Sequence, residues 1–284
     1  MTILEYKRYF KGELSSIYSE AESAELYAVF LFKIVGFDKF QQRRFMHQQL
    51  LKSHIEDLEE VLKTLKSGKP FQQILGETEF YGMKFFLDEH VLIPRPETEE
   101  LLELAIHELQ KPGKKHQEPI KILDIGTGSG IIPIVLKKHF PSAEISAIDF
   151  SEKALEVAKR NAEFHEADIH FIHQDYLNDD LAKIYDVIIS NPPYIGIDEQ
   201  AEISGSVKEF EPEMALFSPT SDPLIFYKKI AKDCENHLAD HGMVFLEINQ
   251  KLGIETLELF TDILSEVRLL KDISGNERFV WGVK

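Results

Sequence analysis

A single cysteine, Cys234, stands in 284 residues, which excludes an internal disulfide and any multi-cysteine metal site. No stretch approaches the roughly 20 consecutive apolar residues that a membrane-crossing helix needs. The opening segment, Met1 to Lys11, mixes charge and polarity and has no apolar signal-peptide core. A cytoplasmic location without membrane attachment is therefore the expectation. Positive charge is also scarce: 32 lysines and arginines face 49 aspartates and glutamates, a net charge of -17 spread along the chain and not confined to a tail. Nucleic-acid binding draws much of its affinity from basic side chains on phosphates, so this balance argues against direct nucleic-acid binding, although a local basic patch is compatible with it. There is no HExxH pattern, and His170 and His173, three apart on an expected strand, face opposite sides, so no metal site is expected. Internal repeats and low-complexity segments are absent as well.

What remains is an ordinary globular composition, 43% hydrophobic and 29% charged, with room for one full α/β domain and a smaller companion. Residues 1–70 read as a helical domain, suited to partner recognition or scaffolding. Tyr27, Phe30, Leu31 and Ile34 form one apolar face, with Gly36 placed to cap the helix, and Asp38 starts a short helix. Ser53 to Glu56 matches a capping box, followed by Leu58, Val61, Leu62 and Leu65 on one face. Residues 71–95 read as a β-hairpin linker around Gly82, and Pro96 opens a helix with acidic residues at its positive end. After a polar break from Lys111 to Pro119, strands and helices alternate over residues 96–284. Strands are expected at Ile120–Leu123, Glu144–Ile148, Asp168–His173, Tyr185–Ser190 and Met243–Ile248, and helices at Ile131–His139, Ser151–Phe164, Pro223–Leu238 and Gly253–Thr261. Such alternation defines a doubly wound α/β sheet. Val267–Leu270 and Arg278–Val283, joined by a short turn, close it with an antiparallel hairpin strand. About 25 residues after Tyr194 lack periodicity, and a loop of that length at a strand tip points to function.

Four strand tips carry groups of ligand type. Gly126, Thr127, Gly128, Ser129 and Gly130 form a glycine-rich turn between a strand and a helix, where backbone N–H groups come close to a ligand. The spacing is neither a dinucleotide fingerprint, since Ile131 stands where the third glycine would be, nor a P-loop. Asp149 ends the next strand, where a carboxylate accepts hydrogen bonds from ribose hydroxyls; it also precedes a helix and could serve as its cap, although Ser151 could cap in its place. Asp175 and Tyr176 offer a carboxylate and a ring to a base. At the fourth tip Asn191, Pro192, Pro193 and Tyr194 present a side-chain oxygen, a fixed carbonyl and an aromatic face. Those groups suit a planar NH2 group, and a rigid turn with a packed tyrosine is the plainer alternative. Cys234, on an expected helix, reads as a small apolar residue.

Asp-x-Gly-x-Gly-x-Gly from Asp124, followed by Asn191-Pro192-Pro193-Tyr194, resembles the S-adenosylmethionine-dependent methyltransferases of planar amide or amino nitrogens. Gly76 to Gly82, Leu92 to Glu99, Phe210 to Leu216 and Asp272 to Val280 extend the likeness: over residues 71–284 the chain resembles the protein-(glutamine-N5) methyltransferases of peptide chain release factors. The resemblance implies a seven-stranded Rossmann-like methyltransferase sheet with its last strand antiparallel and S-adenosylmethionine as cofactor. Gly126 to Gly130 and Asp149 would then take the cofactor's methionine part and ribose, and Asp175 and Tyr176 its adenine. Asn191, also beside the cofactor, and Pro192 to Tyr194 would hold the glutamine of a Gly-Gly-Gln loop on the release factor. Two departures stand out: Pro223 and Asn249 occupy positions where the family has glycine, both outside the expected contacts. Arg95, Glu97 and Thr98 either border the site or simply start a helix. The rival readings are an adenine-N6 type nucleic-acid methyltransferase, which needs a basic docking surface, and a non-catalytic cofactor-binding adaptor.

Overall fold

The computed structural model describes all residues except 112–118, 197–198 and 200–204. The polar break before the first sheet strand and part of the segment after Tyr194 thus lie outside the described residues. The chain divides into two compact units, Met1–Glu77 with Ser204–Phe210, and Thr78–Ile203 with Glu211–Lys284.

The first unit is helical: α1 (Ile3–Leu14), α2 (Glu20–Val35), α3 (Lys39–Arg44), α4 (Lys52–Lys66) and α5 (Phe71–Leu75). Thr2, Ser19 and Asp38 each start a helix with a complete capping box, which satisfies N–H groups that the helix leaves unpaired. Tyr6, Phe10, Tyr27, Phe30, Leu31, Leu58 and Leu65 form its core, and Gly36 ends α2 in the left-handed region. Ser53 is not a cap. Helix α4 begins at Lys52 behind Leu51, which makes no side-chain cap. The reason is tertiary: Leu50 is buried and donates its N–H to the Met1 carbonyl, fixing the entry into the helix two residues early. Residues 71–75 form a helical turn closed by Gly76, so the linker is a hairpin only from Glu77 onward.

The second unit, from Thr78, takes up the hairpin of β1 (Glu77–Phe80) and β2 (Met83–Phe86), followed by α6 (Pro96–Leu109). Then come β3 (Lys121–Ile125), α7 (Ile131–His139), β4 (Glu144–Asp149), α8 (Glu152–Phe164), β5 (His170–His173) and β6 (Tyr185–Ser190). Within the stretch without periodicity lie two short helices, α9 (Gly205–Phe210), which belongs to the first unit, and α10 (Glu213–Leu216); both are too short to show a repeat in sequence. The chain closes with α11 (Ile225–His237), β7 (Leu238–Glu247), α12 (Gly253–Glu258), β8 (Glu266–Lys271) and β9 (Glu277–Val283). Strand β7 is longer than its apolar run because Leu238 already pairs with Tyr185.

The seven strands lie in the order β5-β4-β3-β6-β7-β9-β8. All neighbours from β5 to β7 are parallel, and β9 pairs antiparallel with both β7 and β8. The doubly wound class with an antiparallel last strand is thus what the chain adopts. Strands β3, β6 and β7 carry apolar residues on both faces because both faces are covered, one by a core that includes Leu101, Ile134 and Phe245, the other by one that includes Tyr227, Ile230 and Val244. Among the described residues no helix is long and apolar enough to cross a membrane.

Candidate functional site

The chain passes from β3 outward to β4 and β5, then returns to the other side of β3 with β6, so the strand order reverses between β3 and β6. Open α/β sheets hold ligands outside the carboxyl ends of the strands at such a reversal. Register decides which residues meet there. Ile125 pairs with Ile148 and with Ser190, and Ser190 pairs with Leu246. Gly126, Asp149, Asn191 and Glu247 are each one residue further on, and they form a single row along this edge.

A cavity of about 600 Å³ opens over the row, with Gly126, Gly128, Asp149, Asp175 and Asn191 in its wall. Gly126 and Gly128 have φ of 74° and 54°, and no atom lies within 4 Å of where a Cβ would stand on either. The bare turn therefore lets a ligand approach the backbone. Asp149 ties the turn to the next helix: its Oδ2 accepts from the Gly128 N–H at 2.8 Å and its Oδ1 from the Ser151 N–H at 2.8 Å. Ser151 caps α8, so the carboxylate is a bridge between two backbone segments and keeps lone pairs for a ligand. Burial raises its pKa, and the backbone N–H groups oppose that shift. Beneath the turn Asp124 is wholly buried, and neither of its oxygens has a hydrogen-bond partner among the described residues. Burial pushes its carboxyl up to about 7, with the charge of Asp149 reinforcing the shift. A cavity with acidic groups and an apolar wall that includes Val91, Ile148 and Phe226 fits a positively charged cofactor carrying hydroxyls and a flat base.

Other expected site residues fall elsewhere in the wall or behind it. Thr127 and Ser129 are buried under the turn, and Gly130 is pressed against Ala158, 3.0 Å from where its Cβ would be. Asp175 and Tyr176 both line the cavity, but the Tyr176 hydroxyl turns away to donate to Asp233 at 2.8 Å. Asn191 and Pro193 line the cavity as well, with Pro192 buried behind them. Tyr194 is anchored through its hydroxyl to Glu247 Oε1 at 3.3 Å, and burial, then the Glu247 charge, raises its pKa.

Behind the tip runs a chain of contacts that spans the sequence. Asn191 Nδ2 donates to Thr98 Oγ1 at 3.1 Å, and the Thr98 hydroxyl donates to Glu247 Oε2 at 2.8 Å. The Tyr227 hydroxyl holds the Glu247 carbonyl at 3.0 Å. Glu247 is 1% exposed, and burial pushes its carboxyl up to about 7 against the opposing effects of Thr98 and Arg278. Thr98 therefore does more than start a helix: it touches the tip. Arg95 instead pairs at 2.8 Å with Glu211, whose other oxygen accepts from the Ile93 N–H. Asn249 corrects an expectation. Its Nδ2 reaches the Tyr194 carbonyl at 3.3 Å, so this departure from the family lies against the tip and not outside it. Glu247 itself had a readable signal, a charge at the end of the apolar run Met243 to Leu246.

The cavity at the reversal point of this sheet is that of a methyltransferase dependent on S-adenosylmethionine. The Methyltransferase small domain family matches residues 103–207. The chain belongs to the release factor glutamine methyltransferase family. It is 42% identical over 288 residues to the release factor glutamine methyltransferase of Flavobacterium psychrophilum, with 99% of this chain and 98% of that one covered. It is 41% identical over 247 residues to that of Lactococcus lactis, covering 86% and 88% respectively. Among solved structures, a methyltransferase from Pyrococcus furiosus aligns with a TM-score of 0.50 at 17% identity, over 82% of this chain and 99% of its own, a likeness of fold.

Proposed function

We propose that this chain transfers a methyl group from S-adenosylmethionine to the side-chain amide nitrogen of a glutamine in peptide chain release factors, the glutamine of a Gly-Gly-Gln loop. The observation that carries this reading is the Asn191 amide, held by its NH2 end at the rim of an acidic cavity. Gly126, Gly128 and Asp149 would hold the cofactor's methionine part and ribose, and Asp175 its base. The bound cofactor would supply an electrophilic methyl group on a sulfonium that leaves as a neutral thioether, and the methylated nitrogen gives up one of its two protons to water.

The acceptor nitrogen is a weak nucleophile, because its lone pair is delocalised into the amide carbonyl. Asn191 Oδ1 and the Pro192 carbonyl accept its two hydrogens, which turns the nitrogen toward the cavity and raises its electron density. Tyr194, fixed through Glu247, offers its ring to the amide plane. Pro192 and Pro193 add no N–H that would compete for the acceptor, and their fixed φ keeps the tip rigid. The helical unit would serve to recognise the protein partner.

The test combines labelled cofactor with a purified release factor, the same factor with its loop glutamine changed to alanine, and duplex DNA. Label is expected on the intact release factor alone. Asn191→Ala should lower turnover about 100-fold, the scale for losing one preorganised polar contact, with an unchanged melting temperature. Label on DNA, or equal label on the factor lacking the glutamine, would overturn the reading.

A further inference from the structure

We propose that Thr98 and Glu247 are positioning residues for methyl transfer, a buried relay that fixes which end of the Asn191 amide faces the acceptor. This rests on Asn191 being the group that receives the acceptor's N–H.

An asparagine amide has two ends of nearly equal size and opposite polarity. Only with Oδ1 toward the cavity does Asn191 accept from an incoming NH2 group; reversed, it sets donor against donor. The contact between Asn191 and Thr98 does not decide the matter alone, because a hydroxyl accepts from an NH2 group or donates to a carbonyl oxygen equally well. Glu247 removes that freedom. The single hydrogen of Thr98 is committed to Glu247 Oε2 at 2.8 Å, so toward Asn191 the hydroxyl has only lone pairs. In its ionised form, with Thr98 donating to Oε2 and Tyr194 to Oε1, the carboxylate has no hydrogen to give, and its polarity passes through the hydroxyl to the amide.

The surroundings are built to hold this order. Thr98 is 2% exposed, and its hydroxyl does not cap its own helix but bridges residues 93 and 149 positions away in the chain. Pro96 and the Thr98 N–H bond to the Arg95 carbonyl set the helix start that places it. Glu247 Oε1 takes the hydroxyl of Tyr194, so one carboxylate orients both functional side chains of the tip. A residue needed only to fill space at position 98 would be replaced without loss by valine, which has the same shape.

The experiment compares Thr98→Val, Thr98→Ser and Glu247→Gln in the full chain, with release factor as acceptor. Thr98→Val should lower kcat at least about tenfold, one hydrogen bond of alignment, with KM for the release factor and calorimetric affinity for S-adenosylmethionine within about twofold of wild type, a change too small to account for the loss. Thr98→Ser, which keeps the hydroxyl, should restore kcat to within about threefold. Glu247→Gln should fall with Thr98→Val, because a carboxamide presents either a donor or an acceptor to Thr98 and no longer dictates its direction. Wild-type kcat in Thr98→Val overturns the proposal, and so does a Thr98→Ser as slow as Thr98→Val. If Glu247→Gln fails to fold, the two Thr98 variants decide by themselves. A wild-type enzyme that leaves the release factor unlabelled refutes the proposed function instead, so the two failures are distinct.

Discussion

Asp124 is a buried carboxyl under the glycine turn, and burial, only partly opposed by the nearby Thr127 hydroxyl, sets its folded-state pKa at about 7, well above its ordinary 3.8. Between those values the native chain keeps a proton that the unfolded chain has lost, so this group contributes stability that is full below about pH 4 and disappears as pH rises through about 7. Asp124→Asn removes that loss. Urea unfolding at pH 5 and pH 8 should show the variant gaining on wild type as pH rises, by at most about 1.4 kcal/mol per pH unit; a constant difference would mean that the carboxyl titrates normally. Residues of this kind divide by how well they can be read. Gly126, Asp149 and Asn191 were legible because each directly follows an apolar run that ends a strand. Thr98 could be read as either a site border or a helix start, and Glu247 only as a charge closing an apolar run, because the contacts that give them meaning join Thr98 to residues 93 and 149 positions away. Only the pairing of Ser190 with Leu246 sets Glu247 beside Asn191.

Helix α7, bounded by Ile131 and His139 in both sequence and structure, starts at a glycine whose duty differs from that of its neighbours. Gly130 has φ of 79°, and a Cβ on it would stand 3.0 Å from the Ala158 Cβ and 3.2 Å from its Cα. Its role is the close packing of α7 on α8. Gly128 faces open cavity and gives its N–H to Asp149. Gly130→Ala should therefore lower stability by about 2–4 kcal/mol, left-handed strain plus overpacking, which a denaturant titration reads. Gly128→Ala should instead weaken S-adenosylmethionine binding more than it lowers the unfolding midpoint. Elements with a full apolar repeat, such as α8 and β6, were legible within a residue or two, since burial follows the repeat directly, while for α2 the buried face and the Gly36 cap were legible and the start at Glu20 was not. Where tertiary contacts decide, the sequence pattern misleads: Leu50 docked on Met1 overrides the Ser53 box, and α5 and α10 are single turns with no repeat to detect.

The two compact units have separate cores, one around Tyr6, Tyr27 and Leu58, the others around the sheet. Charge divides with them. Residues 1–77 hold equal numbers of basic and acidic side chains, so the whole excess of -17 falls on the rest of the chain, which includes every residue of the cavity wall. The field over the cavity thus favours a cationic cofactor and disfavours a phosphate backbone. A defect confined to that unit's core should leave cofactor binding untouched. Leu58 is fully buried there, and Leu58→Ala should cost about 2–5 kcal/mol. In hydrogen exchange the loss should fall on amides of residues 1–77 and 205–210, which share one compact unit and are linked by the bond from Gln73 Nε2 to the Phe210 carbonyl. Calorimetry with S-adenosylmethionine should give an affinity within about twofold of wild type, since no wall residue belongs to the damaged core. Affinity that falls in step with the lost protection would mean that the units unfold together, and that the cavity depends on the helical core despite drawing none of its wall from it.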